Sequence, residues 1–196
     1  MDALRSYAGS ANHIARLLWS WRPFLDELWG ALYYKGATKA PLNCIWTSQI
    51  KQALDWFMLF LDGHRGQLVR VWDVAAYAAP SLQVLFVFDA SICGLGGYLI
   101  MSGQIVAWFA SALDKHDEKM FQHSIGDDRG HQTWEQLCPL VGLRAWAHFW
   151  LQRRCTITIK GDNMTALYAV LKLKAPAGNG RFIARELSTL FTDAHF

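Results

Sequence analysis

Val84-Leu85-Phe86-Val87-Phe88 is an unbroken apolar run of strand length, and it ends on an acid, Asp89. A strand of this kind is expected to be buried on both faces, so the chain must build layers around it. Gly94, Gly96 and Gly97 follow it. Residues 98–101 and 104–109 flank Ser102-Gly103, a turn of the two-residue hairpin type. The polar, charged stretch 110–130 reads as a loop. Residues 134–151 predict a helix, with Leu137, Leu140, Val141, Arg144, Ala145, His148 and Leu151 along one side. Residues 155–160 alternate weakly between apolar and polar and predict a second strand. Asp162 or Asn163 then caps a helix over 165–174, residues 175–180 form a loop, and a last helix covers 182–192. Hairpin, helix, strand and helix in this order imply an α/β fold: a mixed sheet with flanking helices. A right-handed crossover would return strand 155–160 alongside strand 84–89.

The part upstream is different in kind. Residues 2–34 read as helical, with Leu4, Ala8, Ile14, Leu17, Leu18, Trp21, Leu25, Leu28, Trp29 and Leu32 recurring at three- and four-residue steps. Gly9 and Pro23 should break or bend this run into two helices, Pro23 falling in the first turn of the second. Residues 35–44 look like a loop. Thr47 or Ser48 then caps a helix reaching residue 61, with Ile50, Leu54, Phe57, Met58 and Leu61 on one face and Gly63 ending it. The expected organisation is a helical segment at 1–62, a connector at 63–82 with a short strand at 68–72, and an α/β domain at 83–196.

Composition supports a folded chain without fixing its partner. Of 196 residues, 53% are hydrophobic and 18% charged, enough for a packed core. The net charge of +3 is mild, but Arg153, Arg154, Lys160, Lys172, Lys174, Arg181 and Arg185 face only Asp162 and Glu186 over 151–190. That stretch is either a solvated basic face or one that tracks phosphates. Most of the ten tryptophans are expected in the core, with a few available to stack on bases. Cys44, Cys93, Cys138 and Cys155 lack zinc-like spacing and have apolar neighbours, so buried free thiols in a reducing, intracellular compartment (cytoplasmic or nuclear) are expected. No apolar stretch approaches the ~20 residues that span a bilayer, and the N-terminus does not lead into a signal-peptide core.

Three acids stand out by position. Asp89 and Asp162 follow apolar, strand-like runs, and Glu135 opens the helical one. Acids at strand ends and on a facing helix gather oxygen ligands for hard divalent cations. Each acid also has a structural role open to it: Asp89 a turn with Ser91, Glu135 a favourable first-turn position in the helix dipole, Asp162 a helix cap. Asp114, Asp117, Glu118, Asp127 and Asp128 belong to the polar stretch and are expected to be solvated.

Several segments resemble the ribonuclease H domains of retroelement polyproteins. Asp89-Ala90-Ser91, the following glycines and Trp108 resemble the opening of those domains. Gln132-Thr133-Trp134-Glu135-Gln136-Leu137, continuing to Leu143-Arg144-Ala145-Trp146, resembles their helix with the catalytic Glu, and Gly161-Asp162-Asn163-Met164-Thr165-Ala166 their second Asp segment. Leu4-Arg5-Ser6-Tyr7-Ala8-Gly9 and Trp21-Arg22-Pro23-Phe24-Leu25 look like the thumb helices that end a reverse transcriptase, and 47–61 like the helix joining thumb to nuclease. DIRS-like and related retrotransposons have this arrangement.

The resemblance implies a ribonuclease H-like mixed sheet preceded by a small all-α, thumb-like segment. It implies Mg²⁺, or Mn²⁺, held by Asp89, Glu135 and Asp162, and hydrolysis of the RNA strand of an RNA/DNA hybrid. Two metals roughly 3.5–4 Å apart would do this chemistry, Asp89 bridging both. Ser91, Gln132 and Asn163 would lie near the scissile bond, with Lys160 and Arg181 on backbone phosphates. The rest of the polyprotein would be the protein partner. The family's later strand, its His-Pro-Gly-like segment and its fourth catalytic Asp do not precede Phe196, so a C-terminally truncated domain is expected. An inactive remnant that binds nucleic acid is the alternative this leaves open. A third class, the integrases and transposases, orders its acids Asp, Asp, Glu and would need Glu186.

Overall fold

Ser102 and Gly103 both take positive φ, 51° and 78°, the backbone of a type I′ turn whose twist matches that of the strands it joins. It closes the hairpin of β2 (Gly94–Met101) and β3 (Gln104–Ala112). In the computed structural model, which describes residues 1–34, 40–69, 74, 78, 80–150, 154–174 and 178–193, this hairpin extends a four-stranded mixed sheet. The order is β3-β2-β1-β4. β1 (Leu82–Ala90) pairs antiparallel with β2 and parallel with β4 (Cys155–Lys160). Strand 155–160 thus lies parallel beside strand 84–89, as the sequence leads one to expect. β2 begins earlier than its side-chain pattern suggests, because Gly94, Gly96 and Gly97 pair within the strand.

β1 is covered more fully on one face than on the other. Val84, Phe86, Phe88 and Ala90 are buried, whereas Leu85 and Val87 are half-buried opposite Ile100 and Tyr98. The expectation of two buried faces is corrected here: an apolar run shows what a face can tolerate, not what covers it.

The chain forms two compact units, Met1–Val71 with Ser188–Phe196, and Trp72–Leu187. In the first, α1 (Asp2–Leu17) and α2 (Arg22–Tyr33) flank a 3₁₀ turn, Trp19–Trp21. Gly9 lies inside α1 rather than breaking it, while Pro23 occupies the first turn of α2. Thr47 and Ser48 form a 3₁₀ turn with Gln49 and cap nothing; α3 runs Lys51–Leu61. Its buried face is Ala53, Trp56, Phe57 and Phe60, with Ile50 just before it, and Met58 and Leu61 are exposed. The core partner decides this: Phe24 stacks on Trp56 at 3.9 Å, and Trp21 packs among Trp56, Phe57 and Phe60. Leu68 and Val69 are exposed and outside any strand. Residues 70–72 of the short strand expected at 68–72, and 35–39 of the loop expected at 35–44, fall outside the described residues, while 40–44 lie outside any helix or strand.

In the second unit the stretch expected to be a loop contains two helix starts. Asp114 and Asp117 form a capping box for α4 (Lys115–Phe121). Asp127 accepts from Arg129 N–H and caps α5 (Asp128–Ala145). α5 therefore starts six residues before the apolar pattern does, because its first turn is specified by a cap and charges. It ends at Ala145, followed by a 3₁₀ turn at Ala147–Phe149. α6 (Met164–Lys172) and α7 (Asn179–Asp193) complete the order along the chain, the residues of α7 from Ser188 on belonging to the first unit. Trp21, Trp56, Trp134, Trp146 and Trp150 are buried, but Trp19, Trp46 and Trp108 are exposed. Of the four cysteines, only Cys138 is buried; Cys155 is half-buried, and Cys44 and Cys93 are exposed. Among the described residues, no helix is long and apolar enough to cross a membrane.

α5 approaches β1 closely at Gly142. A Cβ there would lie 2.3 Å from the Phe86 ring, and Phe86 is fully buried against Trp146. Gly142→Ala should therefore destabilise the chain by about 1–3 kcal/mol, the usual cost of overpacking a filled core. Urea unfolding would measure it; an unchanged midpoint would show that the helix yields freely.

Candidate metal centre

The parallel register of β1 and β4 places two acids level with one another. The last paired residues are Val87 and Lys160, and Asp89 and Asp162 each lie two residues further on. Gly161 makes the turn between β4 and Asp162 possible, since a Cβ there would stand 2.5 Å from the Phe88 ring. Asn163, not Asp162, caps α6: its Oδ1 accepts from the N–H of Thr165 at 2.9 Å and of Ala166 at 3.1 Å. Asp162 is thereby left at the strand end with no capping role. Asp89 keeps one local bond, Oδ1 accepting from Ala90 N–H at 3.0 Å.

Glu135 reaches these two acids from α5. It lies two turns inside the helix, beyond the reach of the first-turn dipole. One carboxylate oxygen from each of Asp89, Glu135 and Asp162 lies within 4.8 Å of the others. Glu135 is 3% exposed, while both aspartates are exposed. Its Oε1 is 3.2 Å from His131 Nε2, and its Oε2 is buried without a hydrogen-bond partner. Burial pushes the Glu135 carboxyl up to about 6, helped by the charges of Asp162 and then Asp89, and opposed by His131. A buried carboxylate oxygen with no partner, on a side chain grouped with two further carboxylates, is strained electrostatically until something positive arrives.

A cation is the group that would relieve it. The donor set is all oxygen and all anionic, which suits Mg²⁺ or Mn²⁺ and not a thiolate-seeking metal. The residues present fit such an ion. Among the described residues, no other acid joins them. Asp114 and Asp117 are spent on their capping box, Glu118 accepts from Ile125 N–H, and Asp127 chelates Arg129. Asp127's hydrogen bonds from Arg129 hold its carboxyl down at about 2. These acids are thus structural rather than simply solvated. Glu186 ion-pairs with Arg144 and is outside the group, so an Asp, Asp, Glu order is not assembled.

The other residues singled out from sequence are placed less centrally. Ser91 is occupied in the β1–β2 turn, its Oγ donating to the Gly94 carbonyl and accepting from Cys93 N–H. Gln132, Lys160 and Arg181 are exposed, and Asn163 is the α6 cap. Two residues near the acids escaped sequence reasoning. His131 and Cys138 flank Glu135 at i−4 and i+3 on α5, a spacing that could have identified them as its helix-face neighbours. Burial raises the Cys138 thiol to about 12, so it is a hydrogen-bond donor and not a nucleophile.

Compared with family models, with curated proteins and with solved structures, the chain gives no match.

Proposed function

We propose that this chain is a ribonuclease H-like module of a retroelement reverse-transcriptase polyprotein, hydrolysing the RNA strand of RNA/DNA hybrids with Mg²⁺ or Mn²⁺. The observation that carries the proposal is the meeting of Asp89, Glu135 and Asp162 from two parallel strand ends and a crossing helix, with a partnerless buried oxygen on Glu135. The sheet order β3-β2-β1-β4, with its hairpin and parallel crossover, is compatible with that fold.

Bound divalent cations would supply charge relief at the scissile phosphate and a more acidic water. The chain's own residues do the rest. Asp89 is presented from a strand end with one oxygen already oriented by Ala90 N–H. Glu135 keeps its proton up to about pH 6, and a cation beside it would favour the ionised form. The exposed Gln132, Lys160 and Arg181 are the candidates to meet the hybrid, whose shallow minor groove and phosphates are what a protein can grip. The helical unit Met1–Val71 would then correspond to the thumb and connection that resemblance suggests.

The test is cleavage of end-labelled RNA paired to DNA, with RNA/RNA and DNA/DNA duplexes as controls, in Mg²⁺, Mn²⁺ or EDTA. Metal-dependent cutting confined to the hybrid's RNA supports the proposal. Salt-sensitive hybrid binding with no cutting in either metal would instead identify a catalytically silent binding module.

A further inference from the structure

We infer that His131 and Cys138 are positioning residues that pin α5 over the end of β1 and so set the selectivity of the acidic group for small divalent cations. The inference rests on the metal-centre proposal above and adds to it the residues that fix its dimensions. Successive carbonyls at the end of β1 each take a donor from α5. His131 Nε2 is 3.2 Å from the Ala90 carbonyl and 3.2 Å from Glu135 Oε1. A carbonyl can only accept, so the ring carries its hydrogen on Nε2. Cys138 Sγ is 3.2 Å from both the Asp89 and Gly96 carbonyls, and its single hydrogen is shared between them.

These contacts bracket Glu135 along one helix face. His131 is one turn before it and Cys138 one turn after, and both bind the β1 backbone at Asp89 and Ala90. His131 also contacts the Glu135 carboxylate directly, whereas Cys138 reaches backbone carbonyls and acts through position. Releasing either bond lets α5 lift and widens the gap between Glu135 and Asp89.

The width matters differently to different ions. Mg²⁺ demands near-ideal octahedral geometry with oxygens at about 2.0–2.1 Å, whereas Ca²⁺ accepts irregular ligands at about 2.3–2.6 Å. Two oxygens on opposite sides of Mg²⁺ are therefore about 4.2 Å apart, and the three carboxylates, with oxygens within 4.8 Å of one another, are close to that limit. A looser group should lose Mg²⁺ first and Ca²⁺ last.

The experiment is calorimetric titration of the whole chain with MgCl₂ and, separately, CaCl₂. His131→Leu and Cys138→Ala should weaken Mg²⁺ binding about tenfold, as loss of an outer partner of a metal ligand does, while Ca²⁺ binding changes by less than about twofold. His131→Gln, whose amide nitrogen reaches the imidazole Nε2 position, and Cys138→Ser, which keeps a donor, should recover most of the Mg²⁺ affinity. Equal weakening of both ions, or no weakening of either, with the unaltered chain binding normally, would overturn the positioning role alone. An unaltered chain that binds neither ion would overturn the metal centre itself. His131 is exposed, so His131→Leu decides the matter should the buried Cys138→Ala fail to fold.

Discussion

Asp89→Asn should abolish divalent-cation binding and hybrid cleavage while leaving the fold intact. Asn keeps an oxygen able to accept from Ala90 N–H, the bond that orients the side chain now. Asp89 is exposed, so no packing is lost. What changes is charge: one of three carboxylates becomes neutral, and half of its polar surface becomes a donor that repels a cation. Mg²⁺ affinity should fall at least about 100-fold, the upper end of what losing even an outer-shell partner costs. The cation-free protein should be no less stable, since Asp89 contributes to the repulsion that raises Glu135. Titration calorimetry and thermal melting in EDTA check the two halves separately. Retained Mg²⁺ binding in Asp89→Asn would remove this acid from the site, and a large drop in melting temperature would make it a structural turn residue instead.

The frame of this site was legible because it depends on the most local signals. Residues 155–160 form β4 with the expected bounds, and Ser102-Gly103 is the expected turn. Parallel pairing of β1 and β4 then brings Asp89 and Asp162 level through chain geometry alone. What could not be read were features set by partners elsewhere in the chain. In α3 nearly every residue after Gln52 is apolar, so periodicity could not choose between the face with Met58 and Leu61 and the one with Trp56 and Phe60. The stacking of Phe24 on Trp56 chooses it. Helices α4 and α5 begin at aspartate caps in sequence too polar to show a buried face, which also hid how deep in α5 Glu135 lies. Cys138 looked like one more small apolar residue. Only the fold shows its thiol against the Asp89 and Gly96 carbonyls.

Glu135 should make the cation-free chain lose stability as pH rises, with Mg²⁺ reversing the loss. Its carboxyl is raised from 4.5 to about 6 in the folded state, first by burial and then by Asp162. The folded state therefore binds the proton more tightly than the unfolded one. That contribution is fully present below pH 4.5 and disappears as pH passes through 6. At about 1.4 kcal/mol per unit, the difference is about 2 kcal/mol. The comparison is with Glu135→Gln, which cannot ionise and should lack this component. Urea unfolding in EDTA at pH 4.5 and pH 7.5 should show the unaltered chain losing about 2 kcal/mol more than Glu135→Gln. Saturating Mg²⁺ binds the ionised group, so its stabilisation should grow above pH 6 and fade below it as the proton competes. Parallel pH profiles for the two proteins in EDTA would mean that Glu135 titrates normally. The case for a carboxylate held in readiness for a cation would then be lost.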